Sequence, residues 1–365
     1  RTTTGDGTSG IYIWGAHAYR SDLGGMVNNP ARGDSYVPTT SAARYLPRVG
    51  HHVYNGTAWA NEGMLHESEA RTNLVTYSED FSNASWPKVN ASVSSDSSIA
   101  PDGNQTADTL TATSASANVY RYHTSGPFNS TVTFSVWLKR KTGTGTVSVG
   151  GTSVTLTSEW QLFTKDFAIG ASGSIIYPGI QIATSGDEVY AWGAQLEAGA
   201  FPTSYIPTSG ATATRSADVA SIPVADFGYN QSEGTVFVEA SSYKGIPKLL
   251  HLNDGSDSNR AQITASASNV AGYVQATGDS GSFISVAGAP TVPFKAALGI
   301  ETNDMGLTVN GSSVSTDTSQ NVPVSITKLN IGSDSTGVSV GQAHIKSIKY
   351  YPRRLTNAQL QELTT

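Results

Sequence analysis

The chain has 365 residues with 28 acidic against 22 basic side chains, a formal net charge of −6, and no cysteine. That length allows two or three domains of ordinary size, and the acidic balance argues against nucleic acid or an anionic membrane, since both need a basic face. The missing cysteines exclude disulfide staples, thiolate-bound zinc and a thiol nucleophile, and no apolar run approaches the roughly 18 residues of a membrane span.

Charged residues make up only 14%, against the usual quarter or so, which leaves the surface to Gly, Ser, Thr and aromatic side chains. Residues 1–45 carry the first copy of an internal repeat. Tyr12-Ile13-Trp14-Gly15-Ala16 recurs as Tyr190-Ala191-Trp192-Gly193-Ala194, and Ser35-Tyr36-Val37-Pro38-Thr39 recurs as Ser204-Tyr205-Ile206-Pro207-Thr208. Such self-similarity marks a duplicated module. Copy two closes a long segment and copy one has almost nothing before it, so 1–45 is expected to be the closing strand and exit loop of a truncated upstream module.

Residues 46–70 read as a hairpin connector. Asn55-Gly56 accepts the positive φ of a type I′ turn between Val53-Tyr54 and Trp59, and Glu67-Ser68-Glu69 reads as a solvated linker. In 71–215, the stretch 131–139 alternates Val132, Phe134, Val136 and Leu138 with Thr131, Thr133, Ser135, Trp137 and Lys139. Val236 and Val238 alternate with Thr235, Phe237 and Glu239 in 216–365, and Phe294, Ala296, Leu298 and Ile300 repeat the pattern. Period-two strands broken by Gly, Ser, Asn and Asp turns predict an all-β fold of tandem antiparallel β-sandwiches (jelly rolls). A short C-terminal helix is predicted to follow, capped by Thr356, with Gln359 completing a capping box and Leu355 and Leu360 forming the staple.

A glycosidase needs two carboxylates held about 5 to 9.5 Å apart across a cleft. No strand carries such a pattern: Asp187-Glu188 and Glu79-Asp80 are adjacent pairs that point to opposite faces when extended. There is no Gly-x-Ser-x-Gly elbow, because Gly278-Asp279-Ser280-Gly281 is a turn lacking the intervening residue. The chain is therefore read as non-catalytic. Sugar recognition instead needs an aromatic platform with hydroxyl or amide partners. Tyr120 and Tyr122 share a strand face, with His123 beside them, and Trp137 lies opposite the core set of its strand. Together Tyr120, Tyr122, His123 and Trp137 form the candidate carbohydrate site, the alternative being a second half of the core. Tyr190, Trp192 and Leu196 fall on one face and read as packing. The loop Asp254-Gly255-Ser256-Asp257-Ser258-Asn259 spaces oxygen donors at turn positions. Asp254, Asp257 and Asn259 are its candidate Ca²⁺ ligands, and a plain polar turn is the alternative.

An ordered motif set runs through 71–215: Arg71-Thr72-Asn73-Leu74, Tyr77-Ser78-Glu79-Asp80-Phe81-Ser82, Ala100-Pro101-Asp102-Gly103, Phe134-Ser135-Val136-Trp137-Leu138-Lys139 and Trp192-Gly193-Ala194-Gln195-Leu196-Glu197. It resembles the carbohydrate-binding-module-like jelly rolls of bacteriophage tail fibres and receptor-binding proteins. Glu233-Gly234-Thr235-Val236-Phe237-Val238-Glu239, Val309-Asn310-Gly311 and Tyr350-Tyr351-Pro352-Arg353-Arg354-Leu355 make 216–365 resemble a laminin-G or concanavalin-like sandwich. The first resemblance implies a virion-tail, extracellular protein that attaches to host cell-surface polysaccharide, assembles with other tail proteins and forms homotrimers. An ancillary substrate-binding part of a polysaccharide depolymerase and a purely structural tail spacer are the other readings. The resemblance also implies Ca²⁺, in the laminin-G-like rim and in the jelly rolls, although Trp192-Gly193 stands where the jelly-roll family carries its acidic pair.

Overall fold

A computed structural model describes residues 48–54, 59–123, 129–170, 175–337 and 340–365. The first repeat copy, Trp14 included, and the Asn55-Gly56 turn lie outside the described residues. The chain enters through β1 (Arg48–Tyr54) and β2 (Trp59–Glu67). The next strands are β3 (Arg71–Asn73), β4 (Lys88–Val89), β5 (Ala91–Ser98), β6 (Ala107–Ala112), β7 (Ala117–Tyr120) and β8 (Ser130–Thr142). Then come β9 (Val147–Val149), β10 (Thr152–Val154), β11 (Gln161–Ile169), β12 (Gly179–Ile182), β13 (Glu188–Ala198) and β14 (Ala213–Arg215). The C-terminal part holds β15 (Ala220–Pro223), β16 (Glu233–Ile246), β17 (Lys248–Asn253), β18 (Arg260–Ala265), β19 (Asn269–Gln275) and β20 (Ser282–Ala287). It ends with β21 (Phe294–Glu301), β22 (Asp304–Val309), β23 (Ser315–Asp317), β24 (Lys328–Gly332), β25 (Val340–Tyr351) and α1 (Asn357–Thr364).

All the pairings are antiparallel, and the strands stack as two sandwiches. In the central one, the sheet β10-β9-β12-β7-β4 faces the sheet β11-β8-β13-β6-β5. Val132, Phe134, Val136 and Leu138 of β8 meet Val119, Ile180 and Ile182 in the core between them, closed from one side by Phe81 and Trp86. The C-terminal sandwich stacks β15-β24-β17-β18-β19-β20 on β1-β2-β25-β16-β21-β22-β23. Val236 and Val238 point into its core. The other face of β16 is not left to solvent, because Phe237 and Ala297 pack under Leu355 and Leu360. Helix α1 carries both halves of its capping box, with Thr356 accepting from the Gln359 amide, and its staple residues reach this small core.

Two features depart from simple strand reading. The hairpin β1–β2 pairs onto β25, with Met64 opposite Ile345, so it extends the larger sheet of the C-terminal sandwich. Of Glu67-Ser68-Glu69, expected as a solvated linker, Glu67 and Ser68 are instead enclosed while Glu69 stays partly exposed. Glu67 is 2% exposed and accepts the Ser204 amide at 2.7 Å, and Ser68 Oγ donates to the Gly341 carbonyl at 2.6 Å. A carboxylate with such partners is satisfied away from water, so acidic composition alone did not make the segment a surface.

Candidate functional site

The tyrosine cluster starts from strand alternation. Ala117 and Val119 of β7 enter the core, which places Asn118 and Tyr120 on the outer face. Tyr120 stands opposite Gly179, and the ladder runs on to a bridge between His123 and Ile176. In that register Tyr122 lies across from Tyr177, a cross-strand aromatic pair. The ring centroids of Tyr122 and Tyr177 are 5.5 Å apart at 67°. Tyr120 lies 5.2 Å from Tyr122 and 6.1 Å from Tyr177, also edge-on. The Tyr120 and Tyr122 hydroxyls share a hydrogen bond of 3.0 Å, which raises the Tyr120 pKa. Tyr122 and Tyr177 remain 56% and 51% exposed.

Gly179 makes this arrangement possible, since a Cβ there would come within 2.6 Å of Tyr120 Cβ and of the Val119 carbonyl. Beyond the rings the same face carries a polar row, Ser153, Ser148, Gln181 and Asn118, aligned across β10, β9, β12 and β7. Among the described residues of this sheet's five strands the one charged side chain is Lys88. Its ammonium is turned to the carbonyls of Ser82, Asn83 and Trp86 at 2.8–3.0 Å. The face therefore offers ring faces, phenols and amides without charge. Such groups stack against sugar C–H surfaces and hydrogen-bond hydroxyls.

Of the four residues expected to form the carbohydrate site, the structure brings together only Tyr120 and Tyr122. His123 pairs with Ile176 through its backbone and, by alternation, turns away from the tyrosine side together with Arg121. The Arg121 guanidinium donates to the Ser85 carbonyl at 2.8 Å. Trp137 belongs to the opposite sheet and points outward there, so the sandwich core separates it from the tyrosines. It is half-buried in a second cluster with Trp160, Trp192 and Tyr205 around Ala100 and Ala107. The 99–106 loop closes this cluster, because Trp160 Nε1 donates to the Ile99 carbonyl and Trp192 Nε1 to Thr106 Oγ1.

Trp192 and Leu196 do not share a face. A bulge between Trp192 and Gln195, with Gly193 at φ +66, shifts the alternation by one residue. Leu196 then enters the core while Tyr190 and Trp192 stay outside. Tyr177 was missed from sequence because it stands alone in an irregular stretch. The available signal was its even spacing from Gly179 and Gln181 in β12.

The 254–259 loop does not converge on a cation. Asp254 accepts from the Ser256 amide and hydroxyl and from the Asn259 side-chain amide. Asn259 donates its other amide hydrogen to the Val324 carbonyl, so it presents nitrogen rather than oxygen to Asp254. Asp257 turns the other way, accepting from Ser335 Oγ at 2.8 Å with Lys248 Nζ 3.9 Å distant. Asp254, Asp257 and Asn259 thus form a hydrogen-bonded turn that does not fit Ca²⁺. Among the described residues no group of three or more His, Asp or Glu side chains is placed to hold a metal ion.

No family model and no curated protein matches the chain. Among solved structures it is similar to the CBM40 of Ruminococcus gnavus IT-sialidase bound to α2,6-sialyllactose (17% identity, TM-score 0.33, 39% of this chain and 87% of that one). It is also similar to the CBM22-1-CBM22-2 tandem of Paenibacillus barcinonensis Xyn10C (11% identity, TM-score 0.29, 78% and 98%). A third is the LG4-5 pair of the mouse laminin alpha1 chain (7% identity, TM-score 0.30, 67% and 88%).

Proposed function

We propose that the chain is an adhesive, non-catalytic part of a bacteriophage tail fibre that holds host cell-surface glycans on the outer face of its central sandwich. The observation that carries this reading is the packing of Tyr120, Tyr122 and Tyr177 into an exposed platform beside an amide row on an uncharged face. Rings fixed edge to face lose little freedom on binding, so a neutral sugar meets a preformed surface. One such site binds weakly. Homotrimeric assembly with other tail proteins would multiply it through effective concentration.

A glycan array of bacterial surface polysaccharides, run with Tyr122→Ala and Tyr177→Ala, tests the site. The expected result is binding of neutral saccharides that each substitution weakens about tenfold, the order of one lost stacking contact. Binding indifferent to both substitutions removes the platform, and no binding at all favours the spacer reading. New reducing ends in incubated capsule would favour the depolymerase. Blocking of phage adsorption by the purified protein tests the tail assignment itself.

A further inference from the structure

The outer face of β18, β19 and β20 in the C-terminal sandwich carries a second constellation, independent of the tyrosine platform. Ala261, Ile263, Val270, Val274 and Ile284 face the core, so Arg260, Gln262, Tyr273, Gln275 and Phe283 face outward. Gln262 stands opposite Tyr273, and Tyr273 opposite Phe283. Arg260 stands opposite Gln275. The other half of this sheet is covered: His251, Asn253 and Asn330 are buried beneath Asp257 and the 333–337 turn, where Ser335 bonds Asp257 and the Asp334 carbonyl accepts from Asn330. The β18–β20 half is open, with Phe283 60% exposed.

Arg260 is the one charged residue in these three strands. Its guanidinium lies over the Tyr273 ring, 4.4 Å from the centroid, and one Nη donates to the Asp257 carbonyl. No carboxylate among the described residues pairs with it. The Asp257 carboxylate is engaged by Ser335, with Lys248 and His251 beside it, and Asp279 accepts from Gln320 and Asn321. Arg260 Nε and Gln262 Oε1 are enclosed without a hydrogen-bond partner, so the donor left for a ligand is the second Nη, which bonds no described residue while the first is held by the Asp257 carbonyl. A stacked, preoriented guanidinium without a counter-ion is a carboxylate receptor. The exposed ring two strands away supplies a sugar platform within about 10 Å.

We infer that this face binds a saccharide bearing a carboxylate, with Arg260 holding the sugar acid and Phe283 stacking on a neighbouring ring. The charge complementarity is local, on a chain whose overall acidity disfavours extended polyanions.

Oligogalacturonate, oligomannuronate and hyaluronan oligosaccharides are the probes, with methyl-esterified oligogalacturonate as the neutral control and dextran sulfate as the sulfate arm. At low salt the protein is expected to bind at least one uronate probe. Esterification, tested on oligogalacturonate when that probe binds, and Arg260→Gln are each expected to weaken uronate binding about tenfold or more, and added salt to weaken it further. Phe283→Ala, a change at an exposed position that leaves the fold intact, is expected to weaken it several-fold. Tyr122→Ala is expected to leave uronate binding unchanged, which separates this site from the tyrosine platform. No uronate binding, equal binding of acid and ester, indifference to both Arg260→Gln and Phe283→Ala, or preference for dextran sulfate would each overturn the inference.

Discussion

Glu67 Oε1 accepts the backbone amide of Ser204 at 2.7 Å, tying the end of β2 to the loop that follows β13. The other carboxylate oxygen lies 3.4 Å from Arg215 Nε, and the Glu67 amide donates to Asp218 at 2.8 Å. The central sandwich is thus fastened to the hairpin at a point where water is excluded. Glu67→Ala would leave the Ser204 amide without its acceptor and Arg215 Nε without its carboxylate, the other guanidinium nitrogens keeping the Ser216 and Glu69 carbonyls. Removing one member of a buried charged network costs about 3 kcal/mol. Urea unfolding should show that loss, and proteolysis should quicken between β13 and β14. An unchanged midpoint would mean that solvent replaces the carboxylate freely.

The tyrosine platform depends on a residue that touches no ligand. Gly179→Ala places a Cβ 2.6 Å from Tyr120 Cβ and the Val119 carbonyl, so the ring of Tyr120 must move. Overpacking of this kind costs about 1–3 kcal/mol. The expected outcome is weaker glycan binding with all three tyrosines still present, together with a lower melting temperature. Trp137→Ala should separate the two readouts. It opens the cluster around Trp192 and lowers stability, yet leaves neutral-glycan binding within about twofold, because sites on opposite faces act independently.

What the sequence revealed and what it hid divide along one physical line. Alternation placed Val132, Phe134, Val136 and Leu138 in the core, and the capping box located α1, because both patterns are local. The platform is not local. Tyr177 joins Tyr122 only through the register of two strands far apart in sequence. Trp137 was grouped with Tyr120 on aromatic character, yet the two occupy different sheets. The Gly193 bulge was open to suspicion, since glycine inside a strand often marks one, but its effect on Leu196 follows only from the pairing with β8. Glu67 shows the same limit: its charge predicted solvent, and its partners come from distant segments.

Acid should act on the two sandwiches in opposite senses. Burial pulls the His251 pKa from 6.5 down to about 4, so between those values the unfolded chain holds a proton that the folded one lacks. Stability of the C-terminal sandwich therefore falls as pH drops through this window, by on the order of 3 kcal/mol. Burial pushes Asp108 from 3.8 up to about 6, against hydrogen bonds from the Asp96 and Phe81 amides. Here the folded state holds the extra proton, and the central sandwich gains stability over nearly the same window, by on the order of 2 kcal/mol. Trp86, Trp137, Trp160 and Trp192 belong to the central sandwich, so with Trp14 and Trp59 replaced by Phe the indole fluorescence follows that sandwich, while hydrogen exchange of β17 and β24 follows the other. From pH 7 to 5 the fluorescence transition should rise and β17 protection should fall. Both moving together would contradict the opposite burial effects.

Lys88 plays the part of a fixed internal cation. Its ammonium donates to three carbonyls, of Ser82, Asn83 and Trp86, which orders the loop that delivers Phe81 and Trp86 to the core. Burial lowers its pKa, with Asp80 and Asp108 opposing. Lys88→Met keeps the stem and removes the donors, leaving the Ser82 and Trp86 carbonyls without the ammonium, while the Asn83 carbonyl keeps the Trp86 amide and Arg121 still holds the Ser85 carbonyl. A destabilisation of about 2–3 kcal/mol is expected. Lys88→Arg should recover only part of it, because a planar guanidinium cannot aim three N–H groups at one ring of carbonyls as an ammonium does. Trp86, stacked 4.8 Å from Phe81, reports the change directly. Its burial should loosen in Lys88→Met before the global transition, and a single transition coincident with the parent protein would show that the loop is held by its apolar contacts alone.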